Sequence, residues 1–217
     1  THRYDNRVNS ASNPNDPWDV FLPLKQFDAG KSRLGNIPAD FRVSLIKAMA
    51  VDLIDVLLQV PQISSITIVG VDHEQLTDAA NPRLRSFPIS QPIDINSDLQ
   101  MAIGDSKRIA IFLPDLPSIS AQEISLALEM AASHKTSFIA DQNEIGTTAF
   151  FSTVGKVATH FGLNSAVAHR GASAAELTGS EFKGIKADCD DWSDLLAIDI
   201  GNLGHSTRAL MEHHLQN

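Results

Sequence analysis

At 217 residues and a net charge of −9, with a pI near 5.2, the chain suits one α/β domain with a substantial core. Its acidity argues against nucleic acid or an anionic membrane as partner, since neither is attracted to a negative surface. One cysteine cannot close an internal disulfide, and no apolar run approaches the roughly 20 residues that span a bilayer, so a cytoplasmic protein is expected.

No basic-then-apolar leader opens the chain; residues 1–17, rich in Asn, Asp and Ser, read as a mobile polar segment ahead of a single domain at 18–217. Short apolar runs at 20–24 and 66–71 predict strands. Between them, residues 41–60 carry Leu45, Ala48, Met49, Leu53 and Val56 at helical spacing, which completes a βαβ unit. A weaker strand is expected at 85–89, a short helix after Ser97, and a strongly apolar strand at 108–113. Ser120 with Glu123 three residues on has the form of a capping box opening a helix. Strands follow at 137–140 and 148–152 with Gly146 in the turn between them. Residues 162–178 read as helical in part, and terminal helices are expected at 193–200 and 206–214.

Three aspartates carry the strongest chemical signal. Asp115 follows the apolar run Ile111-Phe112-Leu113-Pro114, which puts its carboxylate at the carboxyl edge of a sheet, where open α/β folds bind ligands. Asp188 and Asp190, one residue apart, point the same way in an extended segment. Carboxylates crowded together repel, and a bound hard cation compensates; a solvated acidic loop is the plain alternative.

The first strand leads into a basic stretch holding Lys25, Lys31 and Arg33, a cluster suited to a triphosphate in so acidic a chain, although an exposed basic turn has the same composition. It lacks the spacing of a Walker A loop. Gly146-Thr147-Thr148 and Phe161-Gly162-Leu163-Asn164-Ser165 are suited to anionic oxygens, although turns favour the same residues for structural reasons. No histidine or cysteine spacing indicates zinc. His169 is open between a role near the second of these loops and a structural hydrogen bond, Asp141 between a supporting group and a turn residue, and Glu176 between a cap and a surface pair. His213 and His214 read as solvated.

In this order the motifs resemble the 2-phospholactate/phosphoenolpyruvate guanylyltransferases of deazaflavin (coenzyme F-420) biosynthesis, and most closely their actinobacterial branch. The likeness rests on Lys25 with Lys31-Ser32-Arg33-Leu34, Asp115-Leu116-Pro117, Phe138-Ile139-Ala140-Asp141 leading to Gly146-Thr147, and Phe161-Gly162 with Ser165 and His169. Ala175-Glu176-Leu177-Thr178-Gly179 and the Asp188, Asp190 pair complete it. The resemblance implies a single-domain, three-layer α/β nucleotidyltransferase fold of the nucleotide-diphospho-sugar transferase type, with a mostly parallel central sheet. It implies GTP as donor, Mg2+ held by Asp115, Asp188 and Asp190, and a phosphorylated three-carbon acid, phosphoenolpyruvate by branch, bound by Thr147, Gly162 and Ser165. Lys25, Lys31 and Arg33 would face the triphosphate, and a homodimer is the family expectation.

Departures fall where the nucleobase is expected. Gly70-Val71-Asp72 replaces a Thr-Pro-Asp or Ser-Pro-Asp run, and Gln100 stands where the pattern places asparagine, moving the amide by one methylene. The turn Gln142-Asn143-Glu144-Ile145 lacks the glycines common there. Competing expectations are the same reaction on 2-phospholactate or 3-phosphoglycerate, a sugar-nucleotide glycosyltransferase, whose Asp-x-Asp pair would lie mid-chain, and a non-catalytic nucleotide-binding protein.

Overall fold

A computed structural model describes residues 16–24, 37–77 and 80–216. The first apolar run forms β1 (Trp18–Pro23), and α1 (Ala39–Leu58) carries the chain to β2 (Ile63–Gly70), which pairs in parallel with β1 as expected of a βαβ unit. After β3 (Leu84–Pro88), α2 (Ile95–Ile103) leads to β4 (Ile109–Phe112), then α3 (Ala121–Ala131) to β5 (Thr136–Ala140) and β6 (Thr147–Ser152). The chain closes with α4 (Ser165–Gly171), β7 (Ala175–Glu176), α5 (Lys183–Lys186), α6 (Trp192–Ala197) and α7 (His205–Gln216).

The strands form one sheet in the order β3-β2-β1-β4-β6-β5-β7, and β6 alone runs antiparallel to its neighbours. Alternation along each strand sends side chains to two cores. Val20, Leu22, Ile66, Ile68, Phe112 and Phe151 meet α1 and α3 on one face, while Phe21, Val69, Ile111, Phe138 and Phe150 meet α2 and α4 on the other. A third cluster joins Leu45 and Met49 of α1 to Leu195 of α6 and Met211 of α7. Helix α1 is therefore buried on two sides, which explains why its apolar residues are not confined to one stripe.

Several expected boundaries move for local reasons. Helix α2 opens at Ile95, before Ser97, because the Asp94 carboxylate accepts from the backbone N–H groups of Asn96 and Ser97. The 162–178 region is helical only over α4; Ala175 and Glu176 form the edge strand β7, pairing with Ser137 and Phe138. The terminal helix expected at 193–200 ends at Ala197 and gives way to a 3-10 turn, Ile200–Asn202. His214 is not solvated as expected but stacks on Phe41, with ring centroids 4.0 Å apart. Of residues 1–17, only Asp16 and Pro17 are described, and Arg108 Nη1 donates to the Asp16 carbonyl at 2.7 Å.

Helix α7 is held to α1 by one buried carboxylate. Asp52 Oδ1 accepts from the Ser206 N–H at 2.7 Å and Oδ2 from the Thr207 N–H at 2.8 Å, satisfying amides that the first turn of a helix cannot pair internally. Asp52→Ala is expected to cost about 2 kcal/mol, measured by urea unfolding, because a buried and a half-buried donor lose their acceptor at once. Asp52→Asn, with one acceptor oxygen, should fall between.

Candidate active site

The strand order reverses between β1 and β4, which lie side by side as parallel neighbours, with the chain running outward from each toward opposite edges. The crevice beyond the carboxyl ends at such a point is where open α/β sheets take their ligands. Asp115 follows β4 at this edge and is buried. Because β6 runs antiparallel, its first residue, Thr147, arrives at the same edge, and the Leu113 N–H donates to the Thr148 carbonyl at 2.9 Å.

The other two aspartates reach this edge from far along the chain. Asp188 and Asp190 follow α5, and the Cys189 N–H between them donates to the Asp115 carbonyl at 3.0 Å. Cys189 buries its side chain in the cluster between α1, α6 and α7, which anchors the segment and leaves the flanking carboxylates on its other side. One carboxylate oxygen from each of Asp115, Asp188 and Asp190 lies within 4.8 Å of the others. Three oxygens from carboxylates, with no imidazole or thiolate among them, suit a hard divalent cation better than zinc.

Glu123 holds the segment in place. Its Oε2 accepts from the Ser120 N–H at 3.0 Å in the expected capping box, and its Oε1 accepts from the Gly184 N–H at the start of α5 at 2.6 Å. Gly184 packs so closely that an added Cβ would lie 2.4 Å from the Ser118 carbonyl oxygen. One side chain thus ties the helix after Asp115 to the helix before Asp188.

The two loops read as anion-binding meet beside this cluster. The Ala166 N–H donates to the Ile145 carbonyl at 3.0 Å, and the Gln142 N–H donates to the Lys186 carbonyl at 3.0 Å. Thr147 and Ser165 are buried, and Gly162 is exposed with φ 132°, a conformation that favours glycine, and with open space where a Cβ would stand. Asp141 proves to be a turn residue: its carboxylate accepts from the Ile145 and Gly146 N–H groups at 3.0 and 2.7 Å. Glu176 forms a bidentate pair with Arg170, at 2.6 and 2.9 Å, on the edge strand.

The model of the family "Guanylyl transferase CofC like" matches residues 18–213. The chain belongs to this family. A phosphoenolpyruvate guanylyltransferase of Mycolicibacterium vanbaalenii is 32% identical over 199 residues, covering 87% of this chain and 92% of the relative. One from Mycolicibacterium paratuberculosis is 30% identical over 204 residues, covering 89% and 92%. Among solved structures, a Desulfovibrio desulfuricans protein assigned as a nucleotide-diphospho-sugar transferase superposes with a TM-score of 0.65 at 14% identity, covering 92% of this chain and 95% of its own. The fold is therefore that of the nucleotide-diphospho-sugar transferases, and the chain is a guanylyltransferase-family nucleotidyltransferase, as the motifs implied.

Against the family pattern, Lys25, Lys31 and Arg33 lie outside the described residues. Gln100 has a structural bond that its sequence position did not reveal: its Nε2 donates to the Val157 carbonyl at 2.5 Å. One turn earlier on α2, Asn96 Oδ1 accepts from Thr159 Oγ1 and the Phe161 N–H, while Nδ2 donates to the Phe161 carbonyl, at 2.8 to 2.9 Å. These amides, four residues apart on one helix face, clamp the segment that enters the Gly162 loop, and that spacing is the signal that could have identified Asn96. At the carboxyl ends of β2 and β3, Ser86 Oγ donates to Asp72 Oδ1 at 2.7 Å, which holds the Asp72 carboxyl below its usual range. No described helix is long and apolar enough to cross a membrane.

Proposed function

We propose that this chain transfers GMP from GTP to phosphoenolpyruvate, releasing pyrophosphate and forming enolpyruvyl-diphospho-5′-guanosine for deazaflavin coenzyme F-420 assembly. The observation that carries this reading is the convergence of Asp115, Asp188 and Asp190 at the carboxyl edge beside β6 in a chain of the guanylyl transferase family. The names of its mycobacterial relatives support phosphoenolpyruvate as acceptor. A cytoplasmic location fits these substrates.

A phosphate oxygen of the acceptor, already ionised at neutral pH, attacks the α-phosphorus. The new P–O bond forms as the bond to the β-phosphate oxygen breaks, and pyrophosphate departs with that electron pair. No general base is needed; charge and alignment are the obstacles. Mg2+ held by the three aspartates would neutralise the triphosphate and the departing pyrophosphate. Lys25, Lys31 and Arg33 would serve the same anions as cations, and Thr147, Gly162 and Ser165 hold the acceptor in line. Gln100 Oε1 would accept from the base.

The test is pyrophosphate release with GTP and Mg2+ and phosphoenolpyruvate, 2-phospholactate or 3-phosphoglycerate in parallel, with the downstream transferase and deazaflavin present to trap a labile product. Phosphoenolpyruvate should be preferred by about tenfold in kcat/KM, the scale on which small differences of carbon skeleton discriminate. Preference for another acid would overturn the acceptor, and release with none would overturn the transfer reaction.

A further inference from the structure

Beneath the acceptor loops lies a histidine for which the transfer chemistry has no stated use. His169 on α4 is 0% exposed and is surrounded by Phe138, Phe150 and Phe161, with ring centroids 5.5, 4.9 and 5.5 Å from its own. Both ring nitrogens are engaged. The His160 backbone N–H donates to Nε2 at 3.0 Å, and Nδ1 lies 3.0 Å from Thr147 Oγ1.

An N–H donates only to a nitrogen with a lone pair, so Nε2 carries no hydrogen. A neutral imidazole then has its hydrogen on Nδ1, and that hydrogen points to the Thr147 oxygen. The Thr147 hydroxyl is thereby an acceptor toward His169, and its own hydrogen is directed elsewhere. Among the described residues, His169 is the side chain that hydrogen-bonds this hydroxyl.

Two features keep the ring in this state. Burial, and then the nearby His160, lower the His169 pKa to about 4, opposed by a smaller contribution from the Ser165 backbone. The titratable groups around it are His160 and, beside Phe138, the Arg170–Glu176 pair. The donor itself is fixed as well, because Asn96 clamps Thr159 and Phe161 on either side of His160.

We propose that His169 is a positioning residue that makes the Thr147 hydroxyl a one-way hydrogen-bond donor to an anionic oxygen, carboxylate or phosphate, of the acceptor acid. This rests on the reading of Thr147 as an acceptor contact. A hydroxyl free to rotate would serve a donor or an acceptor equally; one whose oxygen is already occupied by an N–H favours a ligand that can only accept.

Nitrogen–proton correlation NMR of the histidine-labelled wild-type protein, without substrate, should show His169 as the Nδ1–H tautomer and unchanged from pH 5.5 to 8. An Nε2–H tautomer, or titration within that range, overturns the proposal independently of any activity. In steady-state assays, Thr147→Val should raise the KM for the acceptor about tenfold, the loss of one hydrogen bond to a charged group, and His169→Phe, which keeps the hydroxyl but frees it to rotate, about threefold, each with the KM for GTP within about twofold. The double variant should be no worse than Thr147→Val alone, because without the hydroxyl the imidazole has nothing to orient. Thr147→Ser, which keeps the hydroxyl, should stay near wild type.

Independent, additive losses in the double variant would reduce His169 to a packing residue. If a variant is unfolded by its melting curve, the tautomer decides. A wild-type protein with the Nδ1–H tautomer that transfers GMP to no acid would overturn the acceptor reading, and with it the ligand assigned to Thr147.

Discussion

Asp188→Asn is expected to lower kcat/KM for GMP transfer by about a thousandfold while leaving the fold intact, since it removes charge from the site without changing its shape. The three carboxylates come within 4.8 Å of one another, an arrangement that mutual repulsion opposes. Asparagine relieves that repulsion, so the metal-free variant should melt no lower than the wild-type protein. Added Mg2+ should raise the melting temperature of the wild type and leave that of the variant nearly unchanged. Pyrophosphate release and a thermal melt on the same samples check both effects. Full activity in the variant would remove Asp188 from the proposed metal site.

Gly70→Ser is expected to destabilise the protein by about 3 kcal/mol in urea unfolding. Gly70 has φ 116°, and an added Cβ would stand 2.3 Å from the Leu24 carbonyl oxygen. Both residues are held by backbone bonds: the Leu24 N–H donates to the Val69 carbonyl at 2.8 Å, and the Gly70 carbonyl accepts from the Ile89 N–H at 3.1 Å. The departure from a Thr-Pro-Asp or Ser-Pro-Asp run is thus built into how β1 and β2 close at their carboxyl ends. A loss below 1 kcal/mol would mean that the chain at Gly70 takes another conformation.

The parallel core was legible because its strands are short runs of branched apolar residues separated by a helix of the right period. Strand β7 was not, because Ala175 and Glu176 have no strand signal of their own; they are held by pairing with β5 and by the Leu177 N–H bond to the Phe138 carbonyl at 2.8 Å. The start of α2 was displaced because its cap, Asp94, lies ahead of the residue taken as its opening.

Asp115 was placed at a sheet edge by its preceding run alone, and the Asp188, Asp190 pair by its spacing. That the two sets meet depends on the Cys189–Asp115 backbone bond and on Glu123 reaching Gly184, contacts between residues too far apart in sequence for any local pattern to report. The amide of Gln100 illustrates the opposite limit: its position suggested a nucleobase, and its nitrogen is engaged by the backbone at Val157.

In the proposed reaction an acid's phosphate captures the α-phosphoryl group of GTP. The most direct measurement follows α-32P-labelled GTP with phosphoenolpyruvate and Mg2+, trapping the product with the downstream transferase and deazaflavin. Labelled GMP, set free as the acid's phosphate is joined to the deazaflavin, at one equivalent per pyrophosphate and only when the acid is present, is the predicted result. Label appearing as GMP at the same rate with and without the acid would contradict it, since water rather than the acid would then be the nucleophile.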